Sequence, residues 1–133
     1  MKRILFYLLI LITVSTLSGC KKETPISTEL AGSWELMADI NGQTGKPTNY
    51  PAGNGHVLKF TATNYEVYEN FKLTRSGTYA VKRDTIYTYN QLGNKISYDG
   101  SEDYHTFYTI ENNQLSFGYD VNDGGGVVYR RVK

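Results

Sequence analysis

The chain has 133 residues, with 14 basic and 13 acidic side chains, and it contains one cysteine. A formal net charge of +1 provides no clustered basic face, so we expect no nucleic-acid partner. A chain of this length predicts one small domain. A single cysteine cannot form a disulfide within the chain, so we expect packing to stabilise that domain.

The first 19 residues have the pattern of a cleaved export signal. Lys2 and Arg3 precede an apolar run from Ile4 to Leu17, which is the layout of a secretory signal peptide. The run is shorter than the about 20 apolar residues that a membrane-spanning helix needs. We therefore expect residues 1–19 to be a signal peptide rather than a plain transmembrane anchor.

Cys20 follows directly after Leu17-Ser18-Gly19. This tetrad resembles the bacterial lipobox, in which the cysteine becomes the first residue of the mature protein and carries acyl chains. The resemblance implies a lipoprotein that is anchored to a membrane through Cys20, since two or more acyl chains hold a protein firmly on a bilayer. The alternative is an ordinary signal peptide that happens to be cleaved near a cysteine.

Residues 20–29 are polar, include Pro25 and show no periodicity, so we expect the lipidated cysteine to be followed by a flexible tether. Lys21 stands after the cysteine where an aspartate would favour the inner membrane. By analogy with the sorting rule of Gram-negative bacteria, we expect an outer-membrane lipoprotein. Its periplasmic or surface face stays open.

Residues 30–133 predict an all-β domain. From Ser33 to Ile40, apolar and polar side chains alternate with period two, as in a half-buried strand. Twelve tyrosines and thirteen glycines in the whole chain favour strands and turns over helices. Further strands are predicted over residues 56–61, 65–70, 76–82, 85–90, 95–98, 104–110, 114–119 and 127–132.

The joints between these strands carry residues that are typical of turns, such as Arg83-Asp84 and Asn112-Asn113. Eight or nine short strands in succession predict a small antiparallel up-and-down barrel, or a sandwich. The long glycine-rich segment over residues 41–55 is expected to form a rim or lid.

Gly32-Ser33-Trp34 opens the first predicted strand, and Tyr129-Arg130-Arg131 lies in the last. This combination resembles the lipocalin and lipocalin-like families. Together with the lipobox and the short tether, it resembles the small lipocalin-like lipoproteins of Bacteroidetes. The resemblance implies an eight-stranded barrel in which Trp34 closes one end and an arginine packs across its ring.

An arginine over an indole face contributes about 0.5–2 kcal/mol. Strand alternation alone does not decide whether Arg130 or Arg131 is the partner of Trp34. We favour Arg131, because it shares a strand face with Val127 and Tyr129.

The histidines provide no pattern of a catalytic or metal site. His56 and His105 lie in separate predicted strands, without the close spacing of metal ligands. The segment from Asp120 to Gly126 is similar to a calcium loop, but it has glycine at the fifth position and Arg131 at the twelfth, where a glutamate is needed. We expect no metal, no cofactor and no enzymatic activity.

The tyrosines have two interpretations. They could stabilise cross-strand pairs on both faces of the sheet, or their rings could line a pocket with hydroxyl groups at its mouth. In the second case we predict that the lining residues are Tyr65, Tyr79, Tyr87, Tyr108, Phe117 and Tyr119. The expected function is binding of a small apolar or amphipathic ligand by a membrane-anchored protein. The alternative is a filled barrel that serves as a protein–protein interaction module of the cell envelope, with an unknown partner.

Overall fold

The computed structural model describes residues 29–133, so the predicted leader, Cys20 and most of the tether lie outside the described residues. In the part of the chain from residue 29 onward, no helix has the length and apolar character needed to cross a bilayer. The nine strands are β1 Gly32–Ile40, β2 Pro47–Asn49, β3 Val57–Phe60, β4 Asn64–Glu69, β5 Lys72–Ile86, β6 Gln91–Tyr98, β7 Thr106–Glu111, β8 Gln114–Tyr119 and β9 Gly126–Val132.

Eight of these strands form a closed antiparallel barrel. From β3 to β9 each strand pairs with the next one in sequence, and β1 joins β3 to β9 and closes the barrel. The ninth strand, β2, pairs with the last three residues of β1, where β3 no longer lies alongside it. The prediction of a small all-β up-and-down barrel, the fold class of lipocalin-like proteins, is therefore confirmed. Closure of this kind removes almost all exposed sheet edges.

Two tight turns show the backbone conformation that the asparagines favour. Asn112 and Asn113 join β7 to β8 with φ angles of 50° and 62°, as expected for a two-residue hairpin turn. Asn70 and Phe71 join β4 to β5 with φ angles of 50° and 64°. Phenylalanine is strained in this left-handed region, because its Cβ lies too close to the following carbonyl oxygen. The backbone N–H of Phe71 donates to the carbonyl of Gly55 at 3.1 Å, which fastens this hairpin to the neighbouring loop.

The prediction of a turn at Arg83-Asp84 is wrong. Both residues lie in β5, opposite Asn94 and Gly93 of β6, and the turn is at residues 87–90 instead. The carboxylate of Asp120 accepts hydrogen bonds from the backbone N–H groups at positions 87 and 88, at 3.1 and 2.9 Å. This contact comes from a distant part of the chain, so the local sequence does not reveal it.

One end of the barrel is closed by the residues that carry the family resemblance. Trp34 is fully buried, and its indole N–H donates to the carbonyl of Leu30 at 2.8 Å. The guanidinium carbon of Arg131 lies 4.0 Å from the centre of the Trp34 ring. The same guanidinium donates to the carbonyls of Ala31 and Glu29 at 3.0 and 3.1 Å. Arg131 therefore holds the residues before β1 over the end of the barrel.

Gly32 is required at this closed end for two reasons. Its φ of 138° is unfavourable for any residue with a side chain, and an added Cβ would lie 2.6 Å from Nη1 of Arg131. Arg130, the other candidate partner of Trp34, points to the opposite side of β9. Its Nε lies 3.0 Å from the carboxylate of Glu35 on the outer wall.

The long segment between β1 and β3 is fastened to that outer wall. The buried carboxylate of Glu35 accepts hydrogen bonds from the backbone of Gly53 at 2.7 Å and of Asn54 at 3.1 Å. The side-chain amide of Asn54 donates in turn to the carbonyl of Leu36 at 2.8 Å. This segment, residues 41–55, contains β2 and extends the wall of the barrel. It does not lie across the mouth as a lid.

Candidate ligand-binding cavity

Beyond the packed layer around Trp34, the barrel interior contains a cavity of about 210 Å³. Its walls come from seven strands, β3 to β9, so it lies inside the barrel and not on its surface. None of the residues from 41 to 55 contributes to it. The lining residues are Leu58, Tyr65, Val67, Arg75, Tyr98, Thr106, Phe117, Tyr119, Val127 and Tyr129.

A second hollow of about 160 Å³ adjoins this cavity. The two share Leu58, Val67 and Tyr129 as walls, and the second reaches sideways to His56 and Tyr68. The cavity therefore has a lateral extension along β3 and β4.

Strand alternation explains why these side chains point inward. In the register of β8 and β9, Phe117 lies opposite Val127, and Leu115 lies opposite Tyr129. Side chains two positions apart share a face, so Tyr129 points to the same side as Arg131, which covers Trp34 at the closed end. The aromatic residues nearer the other end of these strands line the cavity.

Four hydroxyl groups in the cavity wall make no hydrogen bond to the described residues, namely those of Tyr98, Tyr119, Tyr129 and Thr106. Tyr119 is 46% exposed, whereas Tyr98 and Tyr129 are half-buried. Burial, and then the neighbouring Tyr129, Tyr65 and Tyr119, raise the pKa of Tyr98 well above its usual range. Burial is also the main cause that raises the pKa of Tyr129, to about 12. Both groups are therefore protonated at neutral pH, and each can donate a hydrogen bond and accept one.

Arg75 is the one cation among the residues that line the cavity, and it is already paired. Its Nη2 lies 3.0 Å from a carboxylate oxygen of Asp99, and the hydroxyl of Tyr65 donates to the same oxygen at 2.8 Å. The hydrogen bond from Arg75, followed by that from Tyr65, lowers the pKa of Asp99. The Arg75 side chain is 60% exposed, so this ion pair lies at the mouth and leaves no free positive charge inside.

The six residues that we predicted to line the cavity lie in three different places in the structure. Tyr65, Phe117 and Tyr119 lie in the cavity wall. Tyr79 and Tyr108 are buried outside the cavity lining, in the hydrophobic core. Tyr87 is 76% exposed on the outer surface, because it belongs to the turn after β5 and not to a strand.

Sequence reasoning missed seven of the ten residues that line the cavity, namely Leu58, Val67, Arg75, Tyr98, Thr106, Val127 and Tyr129. Arg75, Tyr98 and Tyr129 matter most among them, because they carry its cation and its half-buried tyrosine hydroxyls. Tyr129 could have been found, because it shares a face with Arg131, which we expected to point inward. Tyr98 lies opposite Tyr79 across β5 and β6, which only the true register of the long hairpin reveals. No sequence signal marks Arg75.

A buried ion pair lies on the outer wall, apart from the cavity. Nζ of Lys95 and a carboxylate oxygen of Asp120 are 2.7 Å apart, with side chains only 4% and 2% exposed. Burial by itself raises the pKa of Asp120, but hydrogen bonds from Lys95, Thr88 and the backbone of Tyr87 lower it well below its usual range. This arrangement fixes the turn after β5 against the barrel.

The two histidines lie apart from each other. His105 is exposed and lies 2.8 Å from Asp103, while the ring of His56 is 6.1 Å from that of Tyr50. Within residues 29–133, no group of three or more histidine, cysteine or acidic side chains is arranged to hold a metal ion.

Comparison with protein-family models, with curated proteins and with solved structures gives no match for this chain.

Proposed function

We propose that this chain is a lipid-anchored protein of the cell envelope, in the outer membrane, whose lipocalin-like barrel binds a small apolar or amphipathic molecule without catalysis. The observation that carries the proposal is the cavity inside the barrel. Its walls are mostly apolar and aromatic, and the half-buried tyrosines Tyr98 and Tyr129 present hydroxyls that lack protein partners among the described residues. Mostly apolar concave sites with a few convergent polar groups are typical of small-molecule binding.

The position of the first described residues supports the anchored arrangement. Glu29 and Ala31 are held at the closed end by Arg131, so a tether from Cys20 would join the barrel there. The mouth with Arg75 and Asp99 would then remain accessible to a ligand.

Native mass spectrometry tests the binding function. The mature protein is extracted from its own host's envelope, and its mass is compared before and after denaturation. We expect a reproducible additional mass that is lost on denaturation, and its fragmentation would identify the ligand class. A bare mass in several preparations would contradict the proposal.

Fatty-acid labelling in the host tests the anchor. We expect labelled fatty acid on the wild-type chain and on the control variant Ser18→Ala, which keeps the cysteine. The Cys20→Ser variant is expected to remain unlabelled. If Cys20→Ser still incorporated the label and fractionated with membranes, the lipobox interpretation would be wrong.

The filled-barrel interaction module remains the second candidate, because one observation favours it. Phe71 is 74% exposed and Leu73 is 53% exposed at the hairpin between β4 and β5. An exposed aromatic residue in a strained backbone conformation is unfavourable for the isolated barrel, and such strain is often found at functional sites. Cross-linking from position 71 in the host envelope would reveal a protein partner if this candidate is correct.

A further inference from the structure

We infer that the cavity selects an uncharged molecule of about the size of one substituted ring, which presents a hydrogen-bonding oxygen to Tyr98 and Tyr129. Phenols and cyclic alcohols or ketones belong to this class, whereas long-chain fatty acids do not. The inference rests on the proposed binding function, and it specifies the ligand that the same cavity would take.

The size of the cavity sets the first limit. An apolar cavity of about 150 Å³ in a protein holds benzene, so a cavity of about 210 Å³ has room for one ring with a substituent. A long acyl chain would need the space next to it, which is filled by the buried side chains of Trp34, Tyr108 and Leu115. The lateral hollow leads towards His56 at the wall, and not deeper into the barrel.

The charges around the cavity set the second limit. An ionised carboxylate is costly to bury without a partner, and the guanidinium of Arg75 is already paired with Asp99 at 3.0 Å. On the side of β1, Asp39 lies opposite Val127 of the cavity wall, so a second carboxylate lies near the site. A bound anion would therefore have two carboxylates nearby and one cation that is already paired.

A cationic ligand has no better partner. The carboxylate of Asp99 already accepts hydrogen bonds from Arg75, Tyr65 and the backbone of Thr78, and Asp39 is exposed to solvent. A buried ammonium group would therefore also lack a desolvated counter-charge. Both charge arguments favour a neutral ligand.

The hydrogen-bonding groups provide the positive selection. The hydroxyls of Tyr98 and Tyr129 have no protein partner among the described residues. They belong to half-buried side chains of the cavity wall, so they are available to bond a ligand, and each can donate a hydrogen bond and accept one. Aromatic edges and faces surround them: the rings of Tyr65 and Tyr98 are 4.9 Å apart, and those of Phe117 and Tyr129 are 6.0 Å apart. A ring that carries an oxygen satisfies both the hydroxyls and the apolar wall.

Fluorine NMR with four small probes tests this inference on the mature lipidated protein in lipid nanodiscs, with empty nanodiscs as the baseline. The probes are 4-fluorophenol, 4-fluorotoluene without the oxygen, 4-fluorobenzoate as an anion and 4-fluorobenzylamine as a cation. We expect 4-fluorophenol to bind most tightly, about two- to tenfold more tightly than 4-fluorotoluene, which corresponds to one neutral hydrogen bond.

The variants Tyr98→Phe and Tyr129→Phe should each weaken 4-fluorophenol binding by about two- to tenfold and leave 4-fluorotoluene binding unchanged. The matched control is Tyr89→Phe, since Tyr89 is exposed and lies outside the cavity. It should change neither affinity. Unequal effects on the two probes distinguish a direct hydrogen bond from a general disturbance of the barrel.

Three results would overturn the inference. Tighter binding of either charged probe would show that the cavity accepts charge. Displacement of 4-fluorophenol by micromolar dodecanoate, with tighter binding of the acyl chain, would show that the interior opens further; the proposed ligand-binding function would then survive. If no probe binds and native mass spectra show only the bare chain, the binding function itself fails.

Discussion

The contact between Arg131 and Trp34 allows a quantitative prediction about the closed end of the barrel. Replacing Arg131 with alanine removes a guanidinium that lies 4.0 Å from the indole centre. It also removes hydrogen bonds to the carbonyls of Ala31 and Glu29. Trp34 would lose its cover, and the residues before β1 would lose their attachment to β9.

The expected cost follows from these contacts. A cation–π contact contributes about 0.5–2 kcal/mol, and hydrogen bonds from a charged donor contribute about 1.5–3 kcal/mol when they are buried. Because Arg131 is exposed, its two hydrogen bonds are screened by water and contribute much less than this. We therefore expect Arg131→Ala to lower the free energy of unfolding by about 2 kcal/mol, which for a domain of this size lowers Tm by about 10 °C.

Urea unfolding followed by fluorescence provides the assay, because Trp34 is the one tryptophan of the chain. Arg83→Ala is the matched control, since Arg83 is also an exposed arginine on a long strand. We expect the control to change stability by less than about 0.5 kcal/mol, as surface substitutions usually do.

Gly32 makes the prediction sharper. Gly32→Ala places a Cβ 2.6 Å from Nη1 of Arg131, so it should displace the same guanidinium. The double variant should then be more stable than the sum of the two single effects implies, because both changes disrupt one contact. If Arg131→Ala resembles Arg83→Ala, or if the two changes are strictly additive, the account of the closed end is wrong.

Three further predictions concern the hairpin, the cavity and the buried ion pair. Phe71→Gly should raise the free energy of unfolding by about 1 kcal/mol, because it relieves the left-handed strain, and the midpoint of urea unfolding measures this. Tyr98→Phe and Tyr129→Phe should leave Tm unchanged or slightly higher, since removing a hydroxyl that lacks a protein partner breaks no bond within the protein. Asp120→Asn leaves the buried Lys95 without its counter-charge and should cost about 3 kcal/mol at pH 7. The folded-state pKa of Asp120 lies below the ordinary value of 3.8. The difference in stability between the wild type and Asp120→Asn should therefore shrink as the pH falls below 3.8.

Each of these three predictions has a result that would contradict it. The ring of Phe71 lies against Gly55, where an added Cβ would be 2.9 Å from Cδ2 of Phe71. A loss of stability in Phe71→Gly would mean that this contact outweighs the strain. Destabilisation by Tyr98→Phe beyond that of Tyr89→Phe would reveal a hydrogen bond that our account lacks. For the ion pair, Asp84→Asn changes an exposed carboxylate near Lys82. If its acid unfolding profile resembled that of Asp120→Asn, the special role of Asp120 would be refuted.

The barrel could be predicted from the sequence because its rules are local. Alternation of apolar and polar residues defines strands such as β1, and Asn112-Asn113 favours the positive φ that a tight hairpin needs. The predictions that were wrong concern features that depend on residues far away in the sequence. Residues 85–90 alternate like a strand, yet the chain turns at residues 87–90, where Asp120 accepts hydrogen bonds from the backbone at positions 87 and 88.

The cavity was harder to predict than the fold, because it depends on register. A β-bulge between Leu36 and Ala38 shifts the pairing of β1 with β9, so that Asp39 lies opposite Val127 of the cavity wall. Strict alternation along β1, without the bulge, would place Asp39 on the outer face of the barrel. Arg75 reaches the cavity wall beyond a similar register shift in β4 and β5, and a shift of one residue reverses which face a side chain occupies.

The attachment of Glu29 to Arg131 has a mechanical consequence. A pull on the chain before Glu29 reaches β1 at its first residues, and β1 lies between β3 and β9 with hydrogen bonds on both sides. Such a force acts along the strand, so several interstrand bonds would share the load rather than opening one after another. The guanidinium of Arg131 links Glu29, where the force reaches the barrel, to β9. It therefore helps both ends of the described chain to resist being pulled out of the barrel.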